Sequence, residues 1–165
     1  MTFPMPTFMP AVAATPAISS SYLANLYASV SSNTHTFSGA SIGSTDSKRK
    51  IVVSIVGENQ TGRIVSSVTV AGVSCSLANP TPTSRVQNGV TTAEIWSTDS
   101  VIASGTTADI VITWDGTQTR YYVGTYRALN LGSANDAMTS TASTPTGTID
   151  VPAGGALFAH CHSSA

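Results

Sequence analysis

The sequence predicts an all-β fold, an antiparallel β-sandwich of jelly-roll or immunoglobulin-like kind with an extended N-terminal arm. Three observations predict it. From Asn33 onward, apolar and hydroxylated residues alternate with a period of two in short runs. Clusters of Gly, Pro, Asn and Asp separate those runs at spacings of about 8 to 15 residues, and no sustained helical period competes with them. Finally, only 9% of the residues are charged while 41% are hydrophobic. Ordinary soluble domains carry about a quarter of their residues as charges. A surface kept polar by Ser and Thr hydroxyls suits a protein packed against other protein over much of its area.

Residues 1–30 read as a separate arm and residues 31–165 as the sandwich domain. Pro4, Pro6, Pro10 and Pro16 exclude a continuous helix and favour extended backbone. Phe3, Met5, Phe8 and Met9 give the arm large apolar side chains with no core of their own to fill. They are the candidate partner-binding residues, since arms of this kind order when laid over a partner. Within the arm, Ser21 to Val30 fits a short helix or a strand, because Leu23, Leu26 and Tyr27 share a helical face.

The strands follow in order. Thr34 to Phe37 is a short alternating strand ending at Gly39. Lys50 to Val56 is nearly continuous in apolar residues, the pattern of a strand buried on both faces. Ile64 to Val70 and Val73 to Leu77 flank Ala71-Gly72, a tight hairpin. Asn79-Pro80-Thr81-Pro82 begins an excursion that lasts to Gly89. Thr91 to Ser97 and Ala108 to Trp114 are the next strands, and Asp115-Gly116 opens a turn into Tyr121 to Leu129. After the Ser/Thr/Ala-rich loop from Asn130 to Thr146, Thr148 to Val151 and Ala156 to His160 are expected to pair around Pro152-Ala153-Gly154-Gly155.

Charge and motif content exclude several function classes. The formal net charge is -1, and the basic cluster Lys48-Arg49-Lys50 is too short to hold a phosphate backbone, so no nucleic-acid partner is expected. No apolar stretch reaches the ~20 residues of a membrane helix. The N-terminus lacks the positive region of a signal peptide and is broken by prolines. The sequon Asn59-Gln60-Thr61 is therefore read as incidental to a Thr-rich chain.

Cys75 and Cys161 do not make a disulfide framework, and both fall in expected strands as small buried hydrophobes. The competing reading is a bridge, within the chain or to a neighbouring subunit; Cys161, near the C-terminal end of the sequence, is the more accessible candidate. His160-Cys161-His162 puts two histidines on one strand face, but His35 is the only other histidine and no third ligand is placed, so no metal or other cofactor is expected. Asp46, Glu58, Asp99, Asp115 and Asp136 stand singly, without the alternating ligands of a calcium loop. No Gly-x-Ser-x-Gly elbow is present; the nearest stretch, Gly72 to Ser76, lies in a hairpin strand, and no enzyme activity is expected. Trp96 and Trp114 cluster with Tyr121, Tyr122 and Tyr126. The arrangement fits either a core or a sugar-binding platform, with Trp114 assigned to the core and Trp96 left open.

A connected pattern runs through much of the chain. It comprises Thr36-Phe37-Ser38-Gly39-Ala40-Ser41-Ile42-Gly43, the Ile51 strand, Val68 to Val73, Ile95-Trp96, Ser104 to Val111, the aromatic return strand, and Ile149-Asp150-Val151-Pro152-Ala153-Gly154-Gly155. It resembles small β-sandwich structural proteins of tailed bacteriophages, especially those of alphaproteobacterial hosts. The resemblance implies a virion component assembled in the host cytoplasm and carries no functional residues with it. A head decoration or cement subunit is the expected role, bound to the major capsid protein or other virion proteins, as a trimer or dimer. A tail, collar or fibre-associated subunit is the alternative within that class, and a carbohydrate-binding or adhesin module around Trp96 the alternative outside it.

Overall fold

The computed structural model describes residues 16–58, 62–79, 85–88, 91–133, 136–140 and 147–159. Among them are nine strands and no helix: β1 (Ser19–Ala28), β2 (Ser32–Ser41), β3 (Arg49–Glu58), β4 (Val65–Val70), β5 (Val73–Leu77), β6 (Arg85–Asn88), β7 (Thr91–Thr98), β8 (Thr107–Gln118) and β9 (Arg120–Leu129). All ladders are antiparallel and run in the order β1-β9-β3-β7-β5-β4-β8-β2, with β6 beside β7. The path curls until its end strands approach each other, leaving the sheet nearly closed into a barrel.

β3 is central because its sequence tolerates no water on either side. Ile51, Val53 and Ile55 are fully buried and pack in the interior with Val68, Val70, Ile110, Ile112, Trp114, Tyr121 and Val123. Val52, Ser54 and Val56, on the opposite face, are equally inaccessible. Burying a Val or Ile side chain contributes about 1.5–3 kcal/mol, so this strand anchors the fold. β7 and β9 take its two edges, in registers that place Val53 beside Trp96 and Thr125.

The expected β4–β5 hairpin is present. Ala71 and Gly72 both have positive φ, 52° and 76°, the requirement of the turn that matches strand twist. The first of the expected strands, Thr34 to Phe37, is longer than expected, β2 running through Gly39 to Ser41, and four further boundaries differ. Residues 19–28, inside the expected arm, form β1 and pair with β9, so the sheet begins earlier than residue 31. β8 runs through Asp115-Gly116 to Gln118, and the chain reverses at Thr119 instead. The Asp115 amide donates to the Ile64 carbonyl and its carboxylate accepts from the Ile64 amide, which ties the predicted turn into the sheet. The excursion after Asn79 contains β6, which takes the length of β7 edge that β5 leaves open.

The fourth difference lies beyond β9. Residues 147–159 form no ladder among the described residues. Both edges of β9 are already occupied by β1 and β3, and the Gly154 carbonyl instead accepts from the Ile18 amide.

Candidate interaction surface

On the outer side of the sheet, β1 and β9 present four tyrosines in two cross-strand pairs. Tyr22 lies opposite Tyr126, and Tyr27 opposite Tyr122. The ring centroids are 5.5 Å apart in the first pair and 4.8 Å in the second. Between the pairs sit Asn25 and Gly124, also opposite each other. Phe158 extends the cluster, its ring 5.6 Å from that of Tyr126. Tyr22 is 58% exposed, Tyr27 51% and Tyr122 38%, while Val151 and Leu157 are also solvent-facing. At about 3.3 Å per residue, the two tyrosine pairs stand roughly 13 Å apart along β9. Large amphipathic rings held by cross-strand packing are suited to contact with another surface.

A second feature is the seam between β1 and β2. These consecutive strands are separated by only residues 29–31, yet no ladder joins them, and among the described residues β1 pairs only with β9 and β2 only with β8. Leu23 and Leu26 on β1 and Phe37 on β2 reach the core but stay partly accessible. Neither strand contains Lys, Arg, Asp, Glu or Pro. Those are the residues that usually guard an open edge against further pairing.

One end of the barrel is organised by Arg49. Its side chain is fully buried and satisfied by backbone alone. Nε donates to the Ile102 carbonyl at 2.8 Å, Nη1 to Gly43 at 2.7 Å and Ser44 at 3.0 Å, and Nη2 to Ser104 at 2.7 Å and Gly105 at 2.9 Å. A longer bond from Nη1 reaches Ile42. Burial lowers the Arg49 pKa from its ordinary value, Arg127 adds to that effect, and Asp46 opposes it. The middle member of the basic cluster is thus a clamp on the loops before β3 and before β8.

The aromatic residues divide. Trp114 is core, as expected, and Trp96 is buried as well, its indole N–H donating to Glu94 Oε2 at 2.8 Å. The Glu94 Oε1 atom accepts from the Val65 amide. A sugar platform built on Trp96 therefore has no exposed indole; among the described residues the exposed aromatic groups are tyrosines. His35 packs edge-on against Phe37 and Tyr121. The scattered carboxylates serve local backbone and ion pairs: Asp46 accepts from the Lys48 amide, Glu58 pairs with Arg120, and Asp136 accepts from Ala137 and Asp150.

Cys75 is a free, buried thiol, and its pKa is pushed up to about 12, first by burial and second by Asp99. Cys161, His160 and His162 lie outside the described residues, as do the arm residues Phe3, Met5, Phe8 and Met9. The tyrosine face and the Arg49 clamp were not singled out from the sequence. Tyr22 and Tyr27 are five apart, which puts them on opposite faces of a regular strand. A bulge between Tyr22 and Ala24 brings both to the outside. No protein-family model matches this chain, and no curated protein matches it.

Proposed function

We propose that the chain is a non-enzymatic structural subunit of a tailed-bacteriophage virion, most specifically a head decoration or cement protein. The observation that carries the reading is the character of its surface. A hydroxyl-rich, charge-poor barrel exposes Tyr22, Tyr27 and Tyr122 on one face and leaves two uncharged strand edges beside them. Tyrosine is a favoured residue at protein interfaces because it supplies contact area at low entropic cost. The resemblance to phage structural proteins supplies the setting. As a finer fold class, we propose that the barrel is flattened into the jelly-roll or immunoglobulin-like sandwich.

In mechanical terms, such a subunit sits at junctions of the major capsid protein and ties neighbours together without chemistry. Each contact is weak, and repetition over a lattice supplies strength through avidity. The barrel is the exposed knob, and Phe3, Met5, Phe8 and Met9 supply the attachment. Gradient sedimentation of particles from the phage that encodes the chain tests this reading. Co-migration with intact heads supports decoration; co-migration with detached tails supports a tail or collar station. Recovery only in the soluble fraction excludes a virion role. The exposed tyrosines also favour one reading of another class, a carbohydrate-binding module, and binding on a glycan array with no particle association would select it.

A further inference from the structure

We propose that Arg63, Trp114 and Gln118, at the end of the barrel opposite the Arg49 clamp, bind a small oxyanion that also carries a hydroxyl group, either hydrogen phosphate or a hydroxy-carboxylate. This goes beyond the virion reading, because it concerns a small solute and the interior of the barrel.

The site is built by alternation on β8. Trp114, Gly116 and Gln118 share one side of that strand, the side on which Ile110 and Ile112 enter the core. Gly116 has no side chain there, and the Arg63 guanidinium lies over it: a Cβ on Gly116 would be 2.6 Å from Arg63 Cζ and 2.9 Å from Nε. Trp114 and Gln118 both reach across the barrel to Gly57 of β3, where a Cβ would collide with the ring of one and the amide of the other. The backbone at Arg63 is fixed independently of its side chain. Its carbonyl accepts from Thr92 Oγ1, and Ile64 is bonded to Asp115 in both directions.

Three polar atoms of this group are buried without a hydrogen-bond partner: Arg63 Nε, Trp114 Nε1 and Gln118 Oε1. Trp114 is only 2% exposed and Gln118 only 1%. The orientation of the Gln118 amide is set by Nε2, which donates to the Arg120 carbonyl, so the orphaned atom is an acceptor. Among the described residues the Arg63 guanidinium has no ion pair and no hydrogen bond. The contrast with Arg49 is direct. There the fold places backbone carbonyls on every guanidinium nitrogen, and here it places none.

Buried polar groups in folded proteins are satisfied as a rule, and the chemistry of these three selects what satisfies them. Arginine stays charged at any ordinary pH, and Arg63 Nε–H and the Trp114 indole N–H can only donate. They call for an anion with acceptor oxygens. Gln118 Oε1 can only accept, so it repels a bare anion and calls for an O–H. Charge and hydrogen-bond polarity together specify an oxyanion bearing a hydroxyl; chloride lacks the hydroxyl and a neutral sugar lacks the charge. Arg63 is only half-buried, which gives such a solute a way in.

The test is a titration of full-length, isotope-labelled protein followed by the indole N–H signals in NMR, with phosphate, lactate and acetate at constant ionic strength. Trp96 is an internal reference, because its N–H is held by Glu94. Phosphate or lactate should shift the Trp114 signal saturably and leave that of Trp96 in place. Saturation by phosphate alone assigns the site to phosphate groups, and by lactate alone to hydroxy-carboxylates. Acetate, which has the charge without the hydroxyl, should bind more weakly than lactate wherever lactate binds. Arg63→Gln removes the charge and should weaken binding about tenfold or more. If Arg63→Gln does not fold, the wild-type titrations decide. No saturable shift at Trp114, equal shifts at both tryptophans, acetate binding as tightly as the better of the other two, or a folded Arg63→Gln that binds like wild type would each overturn the proposal.

Discussion

Arg49 and Cys75 show how single buried residues set the properties of this barrel. A fully buried cation with no carboxylate on its guanidinium is tolerated because backbone carbonyls from two loops surround it. Lysine retains the charge but lacks the planar fork of five donors, so Arg49→Lys leaves several buried carbonyls without partners. We expect a loss of about 3 kcal/mol or more, read as a lower denaturant midpoint at constant slope. A loss below about 1 kcal/mol would mean that the loops hold their shape without the clamp. Cys75 makes a prediction about pH. Burial raises its pKa from 9.0 to about 12, and burial also raises that of Tyr121 from 10.0 to about 12. Both groups hold their protons more tightly in the folded state. Their stabilising contribution is complete below pH 9 and is lost as pH rises from 9 through 12. A stability profile that rises across that range would contradict the assignment. In a Cys161→Ser background, iodoacetamide at pH 8 should label Cys75 only after unfolding.

At the scale of elements, the turn between β4 and β5 and the crossing of β3 with β8 offer opposite tests. Ala71 holds a left-handed conformation that Asn adopts more readily. Ala71→Asn should therefore stabilise the protein by about 0.5–1 kcal/mol, measured by urea unfolding. Gly57 is the reverse case. A Cβ there would collide with the Trp114 ring and the Gln118 side-chain amide. Gly57→Ala should destabilise by about 1–3 kcal/mol through overpacking, and an unchanged midpoint would show that the two side chains move freely. Such details explain what could be read in the sequence. β3 and the Ala71-Gly72 hairpin were legible because apolar continuity and turn chemistry are local signals. The Arg49 clamp was not, since it joins the carbonyls of residues 42–44, just before it, to those of residues 102–105, far along the chain. The tyrosine face was hidden by one bulge, which reverses the apparent parity of Tyr22 and Tyr27. The continuation of β8 through Asp115-Gly116 was masked by residues whose turn preference is overridden by the Ile64 bonds.

At the scale of the whole molecule, a closely packed interior carries a surface suited to contact. Neighbouring ladders on both sides of β3, and the near closure of the sheet, enclose a continuous apolar core. The exterior adds exposed tyrosines beside a strand, β1, that carries no charged residue. In the proposed role as a virion-head subunit, the barrel would be the knob and the exposed face a contact repeated over the lattice. Electron microscopy of purified particles tests that claim most directly. Barrel-sized density is expected at regular junctions on the head surface, absent from particles lacking the gene for this chain. Heads of identical surface with and without that gene would contradict it.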